Sequence, residues 1–235
     1  MIDTHCHVDL YDDPIGLAQK IVQAQTQCIA VTMLPSHYRL GLPHLAAFDN
    51  VHAALGLHPL RVSEGERELD DFVSLSKSCE FIGEIGLDFS PEGRSTKSRQ
   101  VEVLDRILQS VKGRKFVTVH SREAAPTLLQ MLAETTVGSV CFHYFTGGQS
   151  VATAAIDAGH FFSFNRRMLK GRQSALLEVV PRDRVLVESD GPFLTKVPVT
   201  ATRDTYSLIA DRWGLSLPET VEIISQNFKA CRTND

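Results

Sequence analysis

The sequence predicts an α/β protein built as a single (β/α)8 TIM barrel over residues 1–235. Two observations predict this fold class. Short apolar runs rich in β-branched and aromatic residues alternate with segments whose apolar residues recur at helical spacing, as in the βα units of a parallel sheet. The chain has 235 residues, of which 43% are hydrophobic and 22% charged. That length and composition suit one barrel of roughly 200 to 250 residues with a sizeable core.

Eight strand candidates occur in order, most of them short, apolar and bounded by Gly, Pro or polar residues. They are Ile2–His7, Cys28–Met33, Val51–Leu57, Phe81–Leu87, Phe116–His120, Ser139–His143, His160–Phe164 and Val185–Ser189. Between them, helix candidates carry apolar residues three and four apart. These are Ile15–Ala24, Leu69–Lys77, Arg99–Val111, Ala125–Leu132, Val151–Ala158 and Ala175–Val180. Two further helices, Tyr206–Trp213 and Pro218–Ala230, follow the last strand and complete the outer ring.

Composition and charge indicate where the protein acts and how it could contact nucleic acid. No apolar run approaches the roughly 18 residues of a membrane span, and the start has no signal-peptide pattern, so we expect a cytoplasmic protein that does not enter a membrane. The five cysteines are scattered without a CxxC pair, which argues against a disulfide framework and a cysteine zinc site. The net charge of −4 gives no global basic field. Contact with nucleic acid would therefore depend on a local patch or on metal ions.

Histidines and carboxylates collect at the carboxyl ends of the predicted strands. His5 and His7 lie two apart on the first strand and therefore point to the same side, into the barrel. Glu84 lies in the otherwise apolar fourth strand, where a buried carboxylate needs a partner or a cation. Of the remaining candidates, His120 and His143 end later strands and Asp190 follows the last one. Because such barrels form their active face at these ends, the six side chains predict a site for divalent metal ions. Packing in the core explains one isolated histidine better than it explains six converging ligands.

The strings around these residues resemble the TatD family of metal-dependent deoxyribonucleases, a branch of the amidohydrolase-like barrels. The matching strings, in family order across most of the chain, are Asp3–His7, Ala54–Pro59, Gly83–Asp88, His120–Ala124, His143–Gly147 and Glu188–Pro192. The resemblance implies two metal ions. One is held by His5, His7, Glu84 and Asp190, and Glu84 bridges to a second held by His120 and His143. Mixed imidazole and carboxylate ligands suit Zn, Mn, Ni or Fe, and a bridging carboxylate tolerates Mg, so the metal's identity stays open.

The implied activity is hydrolysis of DNA phosphodiester bonds, by an exonuclease acting on single strands. Two adjacent ions activate water and stabilise the leaving oxygen of an in-line displacement. Glu84 and Asp190 are the candidate catalytic carboxylates, with Asp190 as general base. His58 either contacts the substrate or leaving group or is merely packed before Pro59. Two alternatives stay open: a hydrolase of the same fold acting on an ester or amide bond of another substrate, and a binding component in which the metal site is structural.

A basic segment follows the seventh strand. Within Phe164–Arg172 it carries four cations: Arg166, Arg167, Lys170 and Arg172. We expect Arg166, Arg167 and Lys170 to bind substrate phosphates, although a charged run is equally typical of a solvated surface.

Several features depart from the usual pattern of the family. Lys196–Thr200 stands where members usually carry an Arg-Asn-x-Pro string, and the chain is short around Ser36–Phe48. With Ser163–Asn165, Met168-Leu169 and Ser189–Phe193, these features resemble the TatD-type nuclease of Qat anti-phage defence clusters. That narrower resemblance implies antiviral defence and partners encoded nearby, including an ATPase and a QueC-like protein.

Overall fold

The computed structural model describes residues 1–64 and 66–233. Eight short strands form its centre: β1 (Ile2–Cys6), β2 (Gln27–Val31), β3 (Val51–Ala54), β4 (Phe81–Gly86), β5 (Phe116–His120), β6 (Cys141–Phe142), β7 (Phe161–Phe164) and β8 (Val185–Val187). Each pairs in parallel with the next along the chain, within one group from β1 to β3 and another from β4 to β8. The sequence prediction of the strands is confirmed to within a few residues.

Backbone hydrogen bonds across two seams close the barrel. Between β3 and β4, the Leu55 N–H donates to the Phe81 carbonyl at 2.9 Å. Between β8 and β1, the Asp190 N–H donates to the His5 carbonyl at 3.0 Å, and the His7 N–H donates to a carbonyl of the loop after β8 at 2.8 Å. The eight strands therefore form one closed (β/α)8 barrel, as predicted.

Helices surround the strands. They are α1 (Pro14–Gln23), α2 (Pro35–Leu45), α3 (Glu66–Leu75), α4 (Lys97–Ser110), α5 (Ala125–Ala133), α6 (Gln149–Asp157), α7 (Arg166–Lys170), α8 (Leu176–Val179), α9 (Pro198–Trp213) and α10 (Leu217–Thr233). Each predicted helix corresponds to one of them. Across the described ranges, none has the length and apolar character to cross a bilayer.

Three helical segments differ from the sequence prediction. Helix α2 was not predicted, because Gly41 and Pro43 lower its helical propensity; it forms with its buried face against the rest of the protein. Helix α9 begins at Pro198, eight residues before the predicted start, with proline in its first turn. The basic segment after β7, for which the sequence predicted no helix, contains α7. The Asn165 side chain caps this helix by accepting a hydrogen bond from the Met168 N–H at 2.9 Å, a common way to begin a helix.

The alternation along β1 determines what faces the barrel interior. Cys6 is fully buried and packs with Leu17 and Ile21 of α1 in a small apolar cluster. His5 and His7, on either side of it, point the opposite way and are also buried. The first strand thus directs both imidazoles to the carboxyl end of the barrel, as their two-residue spacing predicts.

Candidate metal centre

Glu84 lies at the centre of a buried cluster of histidines. Its Oε2 is 3.4 Å from His5 Nε2 and 3.2 Å from His7 Nε2; these two histidines are called the β1 pair. Its Oε1 is 2.7 Å from His120 Nδ1 and 2.9 Å from His143 Nε2; these are called the β5–β6 pair. The two oxygens of one carboxylate therefore face two separate pairs. A carboxylate that bridges two metal ions needs this division.

Two glycines let β4 approach its neighbour closely on either side of Glu84. Gly86 has a φ of +136°, and a Cβ there would lie 2.1 Å from the His120 carbonyl oxygen. A Cβ at Gly83 would lie 2.2 Å from Thr118 Cγ2. Neither position has room for a side chain. The close contact of β4 with β5 brings the Glu84 carboxylate within hydrogen-bond distance of the His120 ring.

Unpartnered nitrogen atoms test whether the β1 pair fits a metal ion. His5 Nε2 and both ring nitrogens of His7 are buried without a hydrogen-bond partner. His5 Nδ1 lies 3.1 Å from Thr118 Oγ1, which can accept its proton and leave the Nε2 lone pair facing Glu84. His5, His7 and Asp190 each offer a ligand atom, all within 4.8 Å of one another. Buried polar atoms without partners are costly, and a divalent cation would satisfy them, so these residues fit the metal.

Carboxylates lie behind the β5–β6 pair. Asp88 Oδ2 is 2.9 Å from His120 Nε2, and Glu188 Oε2 is 3.5 Å from His143 Nδ1. Glu188 is itself fixed, since it accepts a hydrogen bond from Asn165 Nδ2 at 2.8 Å. A carboxylate behind a histidine sets the tautomer and orientation of the ring. Asp88 therefore acts as a positioning residue for His120. Glu188 lies within ion-pair distance of His143 Nδ1 but forms no hydrogen bond with it.

The electrostatics of the two pairs differ. Burial lowers the pKa of His5 to about 3. Burial alone would also lower the pKa of His120 and His143, but the carboxylates around them raise both, that of His143 well above its usual value. Burial would raise the pKa of Glu84, yet the surrounding histidines hold it well below the usual value. Glu84 is therefore ionised, as a metal-bridging carboxylate must be.

Asp190 and His58 complete the wall of the site. Asp190 is buried beside the β1 pair, and its main-chain N–H is bonded to β1. Burial raises the pKa of its carboxyl to about 7. His58 Nδ1 accepts a hydrogen bond from the Leu60 N–H at 3.1 Å, which leaves the proton of the neutral ring on Nε2. That nitrogen is 3.5 Å from Glu84 Oε1, so His58 presents a donor to Glu84 where His5 presents a lone pair.

The cluster opens into a cavity of about 580 Å³ lined by His58, Asp190, Arg167 and Phe193 among others. A second cavity of about 480 Å³ lies beside it and is lined by Arg166, Arg167 and Lys170, here called the basic mouth. Arg167 lines both cavities.

The predicted cations are not all equivalent. Within residues 1–64 and 66–233, Arg167 and Lys170 have no ion pair, whereas Arg166 lies 3.5 Å from Asp204 on α9. Arg172 lines a third cavity instead. The structure thus brings three of the four predicted cations to the mouth and leaves Arg172 out.

All six predicted ligands converge, but the sequence analysis assigned no role to Asp88 or Glu188. Both lie in strings that carry the family resemblance, Gly83–Asp88 and Glu188–Pro192. Their position at strand ends was a usable signal. Which histidine each contacts depends on how the strands are staggered around the barrel, and that is visible only in the fold.

Comparison with known proteins supports the resemblance. A family model described as TatD related DNase matches residues 2–232. Deoxyribonuclease TATDN3 from Homo sapiens is 29% identical over 97% of this chain and 92% of its own length. The uncharacterized metal-dependent hydrolase YcfH from Escherichia coli K12 is 30% identical over 97% of this chain and 94% of its own. The crystal structure of YJJV, a TatD homolog from Escherichia coli K12, covers 100% of this chain and 98% of its own with a TM-score of 0.84, and at 23% identity this likeness concerns the fold.

Proposed function

The chain belongs to the family of TatD-related DNases, which are metal-dependent hydrolases, and we propose that it cleaves DNA phosphodiester bonds with two divalent ions at Glu84. One observation carries the proposal: the two oxygens of Glu84 face two separate histidine pairs. The β1 pair, Asp190 and Glu84 would hold one ion, and Glu84 with the β5–β6 pair the other. This ligand set is compatible with Mg, Mn, Zn or Ni.

The protein's own side chains bind and orient the substrate and accept or donate protons. Bound divalent ions would supply water activation and charge stabilisation at the phosphoryl group. Asp190 faces the cavity beside the β1 pair, so its carboxylate accepts the proton of the attacking water. His58 offers its Nε2–H toward the same cavity and donates a hydrogen bond to a phosphate oxygen or the leaving oxygen. Glu84 stays ionised and holds the two histidine pairs at fixed positions on either side of its carboxylate.

The basic mouth supports an extended anionic substrate. Arg167 lines the metal cavity and continues into the neighbouring one with Lys170, so a strand cleaved at Glu84 has cations for its adjoining phosphates. A cavity of about 580 Å³ is the size of a small-molecule site. That volume accommodates one nucleotide, as release from a strand end requires. These features favour an exonuclease acting on single-stranded DNA.

The proposal includes a cytoplasmic location, because the five cysteines are free and buried, as is typical of proteins kept in a reducing compartment. An antiviral role with ATPase and QueC-like partners stays a prediction from the narrower resemblance to Qat nucleases.

Release of nucleotides from end-labelled single- and double-stranded DNA, measured across a series of Mg, Mn, Zn and Ni, tests the proposed function. We expect stepwise release from one end, faster on single strands, and none after chelation. Glu84→Gln is the matched control, since it preserves size and removes the bridging charge. A metal-loaded protein that cleaves no nucleic acid would contradict the proposal and favour an ester or amide bond of another substrate.

A further inference from the structure

Phe193 carries an exposed aromatic ring at the rim of the metal cavity. The residue is 60% exposed, and it lines the same cavity as Glu84 and His7. Its ring centroid is 5.0 Å from that of His7, with the ring planes at 85°. Part of the ring thus contacts a candidate metal ligand, while most of the residue faces solvent.

The loop that carries Phe193 is fixed on both sides. Before it, the main-chain carbonyl of Asp190 accepts a hydrogen bond from the Leu194 N–H at 3.0 Å. After it, the Thr195 carbonyl accepts a hydrogen bond from Tyr11 Oη at 2.8 Å. The ring is therefore held over the cavity by backbone contacts, not by burial of its own surface. Because an exposed ring gains little from the hydrophobic effect, its place in the fold does not explain its size.

The neighbours of Phe193 indicate what the ring would meet. Arg167 lines the metal cavity together with Phe193, and it continues into the neighbouring cavity with Lys170. Leu194, the next residue, also lines that second cavity. The flat, apolar ring of Phe193 therefore lies at the rim of the cavity that contains Glu84, and the cations Arg167 and Lys170, unpaired among the described residues, lie beyond it. A single strand of nucleic acid has the matching chemistry, because its bases stack on aromatic rings while its phosphates bind cations.

We propose that Phe193 is the stacking platform for the nucleobase adjoining the bond that is cleaved, and that it thereby selects an unpaired strand end. This inference rests on the proposed cleavage of DNA at Glu84. A paired base inside a duplex must leave its stack before it can lie on Phe193, which costs free energy. The terminal base of a single strand stacks there without that cost.

A kinetic test distinguishes the effect of the aromatic ring from that of a large apolar side chain. Phe193→Leu keeps an apolar side chain without the ring, and Phe193→Tyr keeps the ring. On a single-stranded oligonucleotide we expect Phe193→Leu to lower kcat/KM by about 5- to 150-fold, the range for loss of one base stack, and Phe193→Tyr to restore it. Removing the terminal base from the substrate should slow the unsubstituted enzyme by the same factor. The Leu variant should then cleave intact and abasic ends at equal rates.

A binding readout accompanies the kinetics. With 2-aminopurine as the terminal base, fluorescence should be quenched on binding to the unsubstituted enzyme and to Phe193→Tyr, and stay unquenched with Phe193→Leu. Leu40→Ala is the matched control, because Leu40 is 74% exposed on α2 and lines a different cavity; it should change neither readout.

Two failures are distinguishable. If Phe193→Leu slows intact and abasic ends by the same factor, the ring acts through His7 or the loop, and the stacking role is wrong while the DNase function stands. If the unsubstituted enzyme releases no nucleotide from DNA, the proposed function fails and the stacking role fails with it.

Discussion

The β1 pair and the β5–β6 pair meet the same carboxylate but are held in different ways. Behind the β5–β6 pair lie two buried carboxylates, Asp88 at 2.9 Å from one ring and Glu188 at 3.5 Å from the other. Behind the β1 pair, one ring faces the hydroxyl of Thr118 at 3.1 Å, and His7 has no hydrogen-bond partner on either nitrogen.

This difference shows that a buried histidine cluster can orient its rings by two means. The β1 pair owes its direction to the two-residue alternation of one strand, so the backbone itself places both rings. The β5–β6 pair comes from two strands, each contributing one histidine. A hydrogen bond to Asp88 fixes the tautomer and rotation of His120, and Glu188 lies within ion-pair distance of His143. Substitutions behind the rings should therefore affect the β5–β6 pair more than the β1 pair.

The largest effect is expected where the two pairs meet. Glu84→Gln and Asp190→Asn should leave the fold intact but lower hydrolysis by several orders of magnitude, because both keep size while removing charge that binds metal or accepts a proton. Glu84→Gln should lose both ions. Asp190→Asn should retain the ion of the β5–β6 pair. Nucleotide release, elemental analysis and circular dichroism measure these outcomes. A Glu84→Gln protein that keeps two ions and near-normal rates would show that the carboxylate does not bridge.

A smaller effect separates the two pairs directly. Asp88→Asn should lower the affinity of the β5–β6 pair for its ion by about 10- to 100-fold, as loss of a carboxylate behind a metal-bound histidine does. The affinity for the other ion should stay unchanged. Thr118→Val is the matched change behind the β1 pair and should cost less. Calorimetric titration of each variant with Mn measures both affinities. If Asp88→Asn lowered the affinity for both ions equally, the two pairs would not be held in different ways.

Thermal stability should report both pairs together. An ion that binds only the folded protein, at 100 times its Kd, adds about 2.7 kcal/mol, which corresponds to a rise in Tm of about 5–10 °C in a domain of this size. Replacing both histidines of the β1 pair by alanine should remove the part of the Tm increase that comes from one ion, and Glu84→Gln should remove the whole increase. Scanning calorimetry with and without metal provides the measurement. A full shift in Glu84→Gln would place the stabilising ion elsewhere.

The smallest effect is expected outside both pairs, at the basic mouth. Arg167→Ala with Lys170→Ala should make the plot of log affinity against log salt shallower by about 1.4, since each lost single-strand phosphate contact removes about 0.7. Lys20→Ala with Lys229→Ala is the matched control, because both lysines are exposed on the outer helices α1 and α10. Anisotropy titrations of a labelled strand measure the slopes. An unaltered slope in the first variant would mean that these cations form a solvated surface.

The sequence predicts the barrel and the six candidate ligands because both depend on local alternation. Apolar runs separated by helical spacing define the strands, and residues two apart on a strand share a face, so His5 and His7 could be directed inward without a structure. Their positions at strand ends placed His120, His143 and Asp190 at the same face. Glu84 was found as a carboxylate within an otherwise apolar strand.

What could not be predicted depends on contacts between elements. The ion pair of Asp88 with His120 requires the close approach of β4 to β5 that Gly86 permits. Helix α2 forms despite Gly41 and Pro43, because burial of its inner face outweighs weak local propensity.

Diffraction from Mn-soaked crystals tests most directly whether the Glu84 carboxylate bridges two metal ions. We expect two anomalous peaks, about 3.5–4 Å apart. One should lie between Glu84 Oε2 and the β1 pair, and the other between Glu84 Oε1 and the β5–β6 pair. A single peak, or no peak beside Glu84 at saturating Mn, would contradict the account.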